Sequence, residues 1–460
     1  MSRSTFAATS RRLVPLLLAA TLASEATAQT GVSSRVGNND PQTISGSERG
    51  TFIIRNARVF TVSGPVIENG MVLIRDGLIA AVGPNVTVPQ GAREIDAKGL
   101  NVYPGMIDAG TTLGLTEVSG GAAGTVDATE IGNFNSSVMA VDAVNPHSAQ
   151  VGVTRIVGVT NVVSMPRGGI ISGQAAFINL LGYTSKEMAV TPSAALVVNL
   201  PGGGGGGRGG RGGRGGGDGA GGAAAAAQLE ELKAIFRDAE AYAKAFDAYG
   251  KDKSLPRPTH NVRLEALVPV VRGKTPVVFS ANSASDITKA VAFAEEMKLK
   301  PVIMGGNEAW KVAAMLKEKN VPVILTNTLN QPGDDDPYDM MYESAARLQR
   351  LGVRFSISTG GSGTSVRDLP WQAGMASAFG LPKDEALKAV TLYPAQVMNV
   401  QDKLGSIEVG KMANIVVIDG DMLEAKSKTR YLFIDGRQVP LTSKHEDLYD
   451  LFRNRGVIVP

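Results

Sequence analysis

Tyr103-Pro104-Gly105-Met106-Ile107-Asp108-Ala109-Gly110-Thr111-Thr112-Leu113-Gly114 marks the place where the chain changes character. An apolar, β-like run enters a Pro-Gly turn at 104–105, and a second short strand leaves it. Upstream, residues 51–103 break into short β-rich runs: Phe52-Ile53-Ile54, Ala57-Arg58-Val59-Phe60-Thr61-Val62, Met71-Val72-Leu73-Ile74 and Leu78-Ile79-Ala80-Ala81-Val82. Asp76-Gly77 between two of them predicts a hairpin turn. Downstream, from about residue 150, strand-like runs recur at 155–159, 194–199, 276–280, 300–304, 321–325 and 353–358. Helical segments separate several of them. Residues 284–298 carry Ile287, Val291, Ala294 and Met297 at helical spacing, and 307–319 carry Ala309, Val312, Ala313 and Leu316. Segments 342–351 and 383–391 repeat the pattern.

Buried strands alternating with amphipathic helices predict an α/β fold with a parallel sheet, either a barrel or a doubly wound sheet. No Gly-x-Gly-x-x-Gly follows a first strand to favour a dinucleotide fold. Short strands return at 413–418 and 431–434, with a second hairpin signal at Asp435-Gly436. The tail 443–456 reads as a short helix bearing Leu448, Tyr449, Leu451 and Phe452.

Composition narrows the chemistry. The 460 residues suffice for one large domain and a smaller one. A net charge of +3 gives no bulk pull toward nucleic acid. Cysteine is absent, which excludes disulfides, thiolate metal sites and a thiol nucleophile. Histidine occurs only at His147, His260 and His445, none with a histidine two or four residues away, so each reads as an ordinary surface or hydrogen-bonded side chain. Asp334-Asp335-Asp336 lacks the spacing of a calcium loop and reads as a solvated loop. Ser362 lacks the Gly-x-Ser-x-Gly elbow. Gly168-Gly169 and Gly305-Gly306 can offer backbone N–H groups to an anion, though such pairs are common in loops.

At the N-terminus, Arg11-Arg12, the apolar run 13–22 and Ala26-Thr27-Ala28 predict a cleaved leader over 1–28, a mature start at Gln29 and a periplasmic or extracellular destination. The apolar run is too short for a stable membrane span. Residues 29–50 read as a disordered lead-in. Residues 201–228 form a low-complexity insert with Arg208, Arg211 and Arg214 among glycines. Such repeats can contact RNA. In an exported chain they read as a solvated loop or polyanion tether, and no nucleic-acid partner is expected. The alanine run 223–227 starts a helix with Leu229, Leu232, Ile235, Phe236, Ala239, Tyr242 and Phe246 on one face.

Over about 51–440 the chain resembles the metal-dependent amidohydrolase superfamily, in its imidazolonepropionase-like branch. Four stretches carry the resemblance. In the family, the first reads Pro-Gly-x-Ile-Asp-x-His-x-His; here Pro104, Gly105, Ile107 and Asp108 are kept, and Gly110 and Thr112 stand at the histidine positions. The second runs from Pro276 to Ile287, with Ser280 where the family has a histidine. Ser356-Ile357-Ser358-Thr359-Gly360 is similar to the family's Thr-Asp strand end, with Gly360 at the aspartate. The longest is Ala386-Leu387-Lys388-Ala389-Val390-Thr391-Leu392-Tyr393-Pro394-Ala395 followed by Leu404-Gly405-Ser406-Ile407-Glu408-Val409-Gly410-Lys411-Met412-Ala413-Asn414-Ile415-Val416-Val417. Asn414 stands where the family often has aspartate, a change with a structural consequence.

The resemblance implies a TIM-like (β/α)8 barrel over 104–404, a small β-sandwich from 51–103 and 405–440, a tail helix in 441–460, and a site at the C-terminal ends of the barrel strands. It also implies water activated on one or two divalent metals such as zinc, with a catalytic aspartate. Glycine has no side-chain ligand and neutral hydroxyls bind zinc poorly. With Gly110, Thr112, Ser280 and Gly360 in place, and no histidine near Gly305-Gly306, no metal or other cofactor is expected. The implied protein is a pseudoenzyme that binds a small molecule or partners an active relative as a homo- or hetero-oligomer. Two alternatives stay open: an active metal-dependent hydrolase of carbon–nitrogen bonds with an atypical site, and a non-enzymatic interaction scaffold. Ser280, Asn282, Glu308, Thr359, Arg367 and Asp368 are the polar residues that strand positions place near the mouth.

Overall fold

The computed structural model describes residues 48–117, 123–202, 218–326, 328–333, 336–453 and 455. The leader, most of the lead-in, the glycine-arginine run at 203–217 and Asp334-Asp335 lie outside the described residues. Two sheets meet at the Pro-Gly turn. Strand β6 (Asn101–Pro104) belongs to one and β7 (Met106–Thr111) to the other. Gly105 is required between them, because a Cβ there would overlap the Thr160 side chain.

The first sheet has nine strands, built from both ends of the described chain: β1 (Glu48–Arg49), β2 (Phe52–Val59), β3 (Ile67–Arg75), β4 (Leu78–Gly83), β5 (Arg93–Asp96), β6, and the late strands β15 (Ile415–Asp419), β16 (Lys428–Ile434) and β17 (Arg437–Val439). Strand β1 falls at the end of the expected disordered lead-in and pairs antiparallel with β17. The strands form one continuous sheet, with Phe52, Ile54, Val59, Val72, Ile74, Ile415, Val417 and Phe433 packed into a core of its own. Asp76-Gly77 and Asp435-Gly436 both take positive φ, the backbone that matches a tight turn to the twist of its strands.

The second sheet runs β14-β13-β12-β11-β10-β9-β8-β7 and curls into a nearly closed barrel. Its strands are β7, β8 (Val159–Ser164), β9 (Ile171–Asn179), β10 (Ala189–Val198), β11 (Val277–Ala281), β12 (Pro301–Gly305), β13 (Val323–Leu325) and β14 (Phe355–Ile357). Seven run in one direction. Strand β9 is antiparallel to both neighbours, a departure from the expected all-parallel (β/α)8 pattern. The links at 165–170 and 180–188 are too short for a crossover helix, so the chain can only turn back on itself there.

The expected strand at 155–159 is also corrected. Residues Ala149–Arg155 form a helix, α1, capped by Ser148, whose Oγ accepts from the Gln150 N–H. Gly158 at φ +95° ends the connection, and the buried strand is the next apolar run, β8. Helix α2 (Asp218–Lys251) starts inside the expected low-complexity insert and buries Leu232, Phe236 and Ala239. Helix α3 (Ala284–Glu296) buries Ile287, Ala290, Val291 and Ala294, as its spacing predicts. Among the described residues no helix is long and apolar enough to cross a membrane.

Candidate ligand site at the barrel mouth

The ends of β7, β8, β11, β12 and β14 converge on a cavity of about 420 Å³. Thr111, Arg167, Ser172, Asn199, Ser280, Asn282 and Thr326 supply its polar wall, and Met165, Pro166, Val197 and Met304 its apolar one. Among the described residues no carboxylate side chain lines it. Its parts come from segments hundreds of residues apart, brought together because parallel strands end on one side of a barrel.

Directly behind the mouth, Asp108 closes the barrel. Strands β7 and β14 are the two free edges of the sheet path. The fully buried Asp108 carboxylate bridges them. Its Oδ1 accepts from the Gly110 N–H at 3.1 Å and from the Ser358 hydroxyl; its Oδ2 accepts from the Thr359 N–H at 3.2 Å and the Thr359 hydroxyl at 2.5 Å. Burial pushes its pKa up, and the hydrogen bonds from Ser358 and Thr359 oppose that shift. The Ser358 Oγ also lies 3.1 Å from the Gly110 carbonyl, so its proton has a second acceptor when Asp108 is neutral.

At two of the positions where the resemblance implies metal ligands, neighbouring side chains occupy the space beside the glycine. At Gly110 a Cβ would meet the Met304 methyl at 2.8 Å and its sulfur at 3.2 Å, with the Met165 methyl at 3.6 Å. Gly360 has φ +60°, and a Cβ there would overlap the Cβ of Thr326. The first obstacle is a flexible tip; the second is a β-branched carbon in a backbone region that favours glycine. Ser280 lines the cavity with a neutral hydroxyl. Among the described residues no group of three His, Asp or Glu side chains is placed to hold a metal. The residues present do not fit a divalent ion: the donors are hydroxyls, amides and a thioether.

Of the six polar residues expected at the mouth, Ser280 and Asn282 line it, and Gly360, at the position of the implied aspartate, lines it with them. Thr359 lies just behind, turned to Asp108. Glu308 is instead a structural cap: its carboxylate accepts from the Ala284 N–H at 2.7 Å and pairs with Lys311 at 2.8 Å, and these two partners hold its pKa down. Arg367 and Asp368 sit 3.9 Å apart beyond the strand end, and Arg367 lines a separate small cavity with Lys444 and His445. Both Thr111 and Thr112 are buried, but it is Thr111 that lines the mouth, where the β7–β8 register shifts between Asp108 and Thr111. His260 is paired with Glu265 at 2.5 Å. Asp336 pairs with Lys311 at 3.0 Å.

Arg167 is the residue the sequence did not single out. It follows β8 and reaches across the mouth, where its Nη2 donates to the carbonyls of Gly360 at 3.1 Å and Gly361 at 3.3 Å. Its one sequence signal is its place just ahead of Gly168-Gly169. Desolvation lowers its pKa. A larger and more apolar cavity of about 620 Å³ lies where the first sheet meets segment 383–397, lined by Phe60, Tyr103, Leu387 and Tyr393. The lysines at its rim are already paired, Lys383 with Asp421 and Lys388 with Asp384 and Glu385. The smaller cavity at the strand ends therefore has the stronger claim as a site.

A model of the amidohydrolase family matches residues 283–444. Imidazolonepropionase from Fusobacterium nucleatum is 35% identical over 82 residues, 17% of this chain and 20% of that protein. The chain thus spans about a fifth of the length of that relative. Imidazolonepropionase from Mesorhizobium japonicum is 25% identical over 405 residues, covering 80% of this chain and 92% of that one. Among solved structures, an amidohydrolase from Thermotoga maritima superposes with a TM-score of 0.72 at 25% identity, over 85% of this chain and 99% of that chain.

Proposed function

This chain belongs to the amidohydrolase superfamily, and from that premise we propose that it is an exported, metal-free member that binds a small molecule at the barrel mouth without hydrolysing it, alone or beside an active relative. One observation carries the reading: the space that a ligating side chain at 110 would need is filled by Met304, and that at 360 by Thr326. A vacant site would keep room for the lost ligands; this one has been repacked. Hydroxyls, amides and a thioether at the mouth are poor ligands for a water-activating metal, and Asp108, the acid behind it, is fully engaged. Titration of the full chain with zinc and manganese, with and without prior EDTA treatment, tests the reading. Binding of one ion per chain at micromolar affinity, lost on EDTA treatment, contradicts it.

A second reading is hydrolysis of a carbon–nitrogen bond, favoured by the activity named for the Mesorhizobium relative over 92% of its length. It requires metal-dependent turnover of an imidazolone or amide substrate. Export rests on the leader-like residues 1–28 and is tested by the mass of the mature chain, expected to begin at Gln29.

A further inference from the structure

Resting on the metal-free reading above, we propose that the barrel mouth selects a small, singly charged carboxylate, with Arg167 as its charge partner. Arg167 spends one nitrogen on the Gly360 and Gly361 carbonyls, which fixes the guanidinium over the cavity. A guanidinium carries five N–H groups, so those on Nε and Nη1 remain for a ligand. No described carboxylate lies within ion-pair distance of it. Asp108, on the neighbouring strand β7, already satisfies four donors of its own.

Glycine at 360 has a second consequence here. An acid at that position would stand beside the guanidinium and cancel its charge. Glycine leaves only its carbonyl, which orients the cation and keeps the charge intact. The mouth therefore holds a fixed positive centre at the place where the resemblance implies a metal-bound one. Arg167 stays exposed at the rim, and its partial burial, which lowers its pKa, leaves the charge less well solvated than in open water. A bound anion relieves this.

Charge count sets the ligand class. One uncompensated guanidinium balances one negative charge. A phosphate dianion would leave excess charge against Met165, Val197 and Met304. Ser280 and Asn282 add neutral hydrogen-bonding groups, and the apolar wall accommodates a short hydrocarbon body. A cavity of about 420 Å³ suits a ligand of fragment size.

The test is calorimetry on the full chain in EDTA at low salt, with hexanoate and benzoate as probes and hexanamide as the neutral control. The wild type is expected to bind the acids at least about tenfold more tightly than the amide. R167M is expected to lose that preference while still taking up the amide, and R167K to recover part of it. No acid binding up to tens of millimolar, equal binding of acid and amide, or an unchanged preference in R167M overturns the proposal. The last result, obtained in EDTA, leaves the metal-free reading standing. Acid binding that appears only on adding zinc overturns both.

Discussion

Removing the Asp108 carboxyl is expected to open the barrel seam. In D108A the donors on Gly110 N, Thr359 N and Thr359 Oγ1 lose their acceptor, whereas Ser358 can turn to the Gly110 carbonyl at 3.1 Å. Leaving a buried donor unsatisfied costs about 1–3 kcal/mol, and removing the desolvated carboxyl returns part of that, for a net loss of roughly 3–5 kcal/mol. D108N keeps the shape and one acceptor, but sets its amide against one backbone N–H, so a loss of about 1–3 kcal/mol is expected. Urea midpoints at constant m-value read these differences.

The pH dependence follows from the direction of the shift. Burial raises the folded-state pKa of Asp108, so between the unfolded value of about 4 and the folded one the native state binds more protons. The contribution of this group to stability is greatest below about 4 and declines as pH rises toward the folded pKa. The stability gap between wild type and D108N should therefore narrow with rising pH in that window. A D108A midpoint equal to wild type, or a D108N protein weaker than D108A, refutes the clasp.

Two further substitutions probe the same framework. G110H should drive its ring into Met304, costing about 1–3 kcal/mol by overpacking, without creating zinc affinity; adding M304A should relieve the crowding, read by urea midpoint and zinc calorimetry. N414A should destabilise by roughly 2–4 kcal/mol, because the Asn414 amide donates to Asn161 at 2.7 Å and Asn179 at 2.8 Å while its carbonyl accepts from the Asp435 N–H at 2.8 Å; thermal melts of the variant check this.

Much of the architecture is written in local signals. The Pro104-Gly105 turn and the two Asp-Gly pairs specify backbone geometry directly, and the apolar spacing of 284–298 specifies a buried helix face. The reversal of β9 is not local: it depends on link length between strands, and buried strands read alike in either direction. The clasp on Asp108 joins residues about 250 positions apart, so no window of sequence contains it. Thr111 rather than Thr112 lines the mouth, where the β7–β8 register shifts, which strict alternation cannot anticipate. Arg167 was hidden because a lone arginine before two glycines resembles any loop; only the curl of the barrel brings it to Gly360. Glu308 and Arg367 were placed by position along the chain alone, and helix capping and a local ion pair claimed them.

Elemental analysis of the purified full chain, before and after loading with zinc and exhaustive dialysis, tests the account where it is most exposed. A mouth repacked by Met304 and Thr326 should retain well under one equivalent of any divalent metal. One retained equivalent that disappears in S280A, with the fold intact, would mean that the strand tips still assemble a cation site.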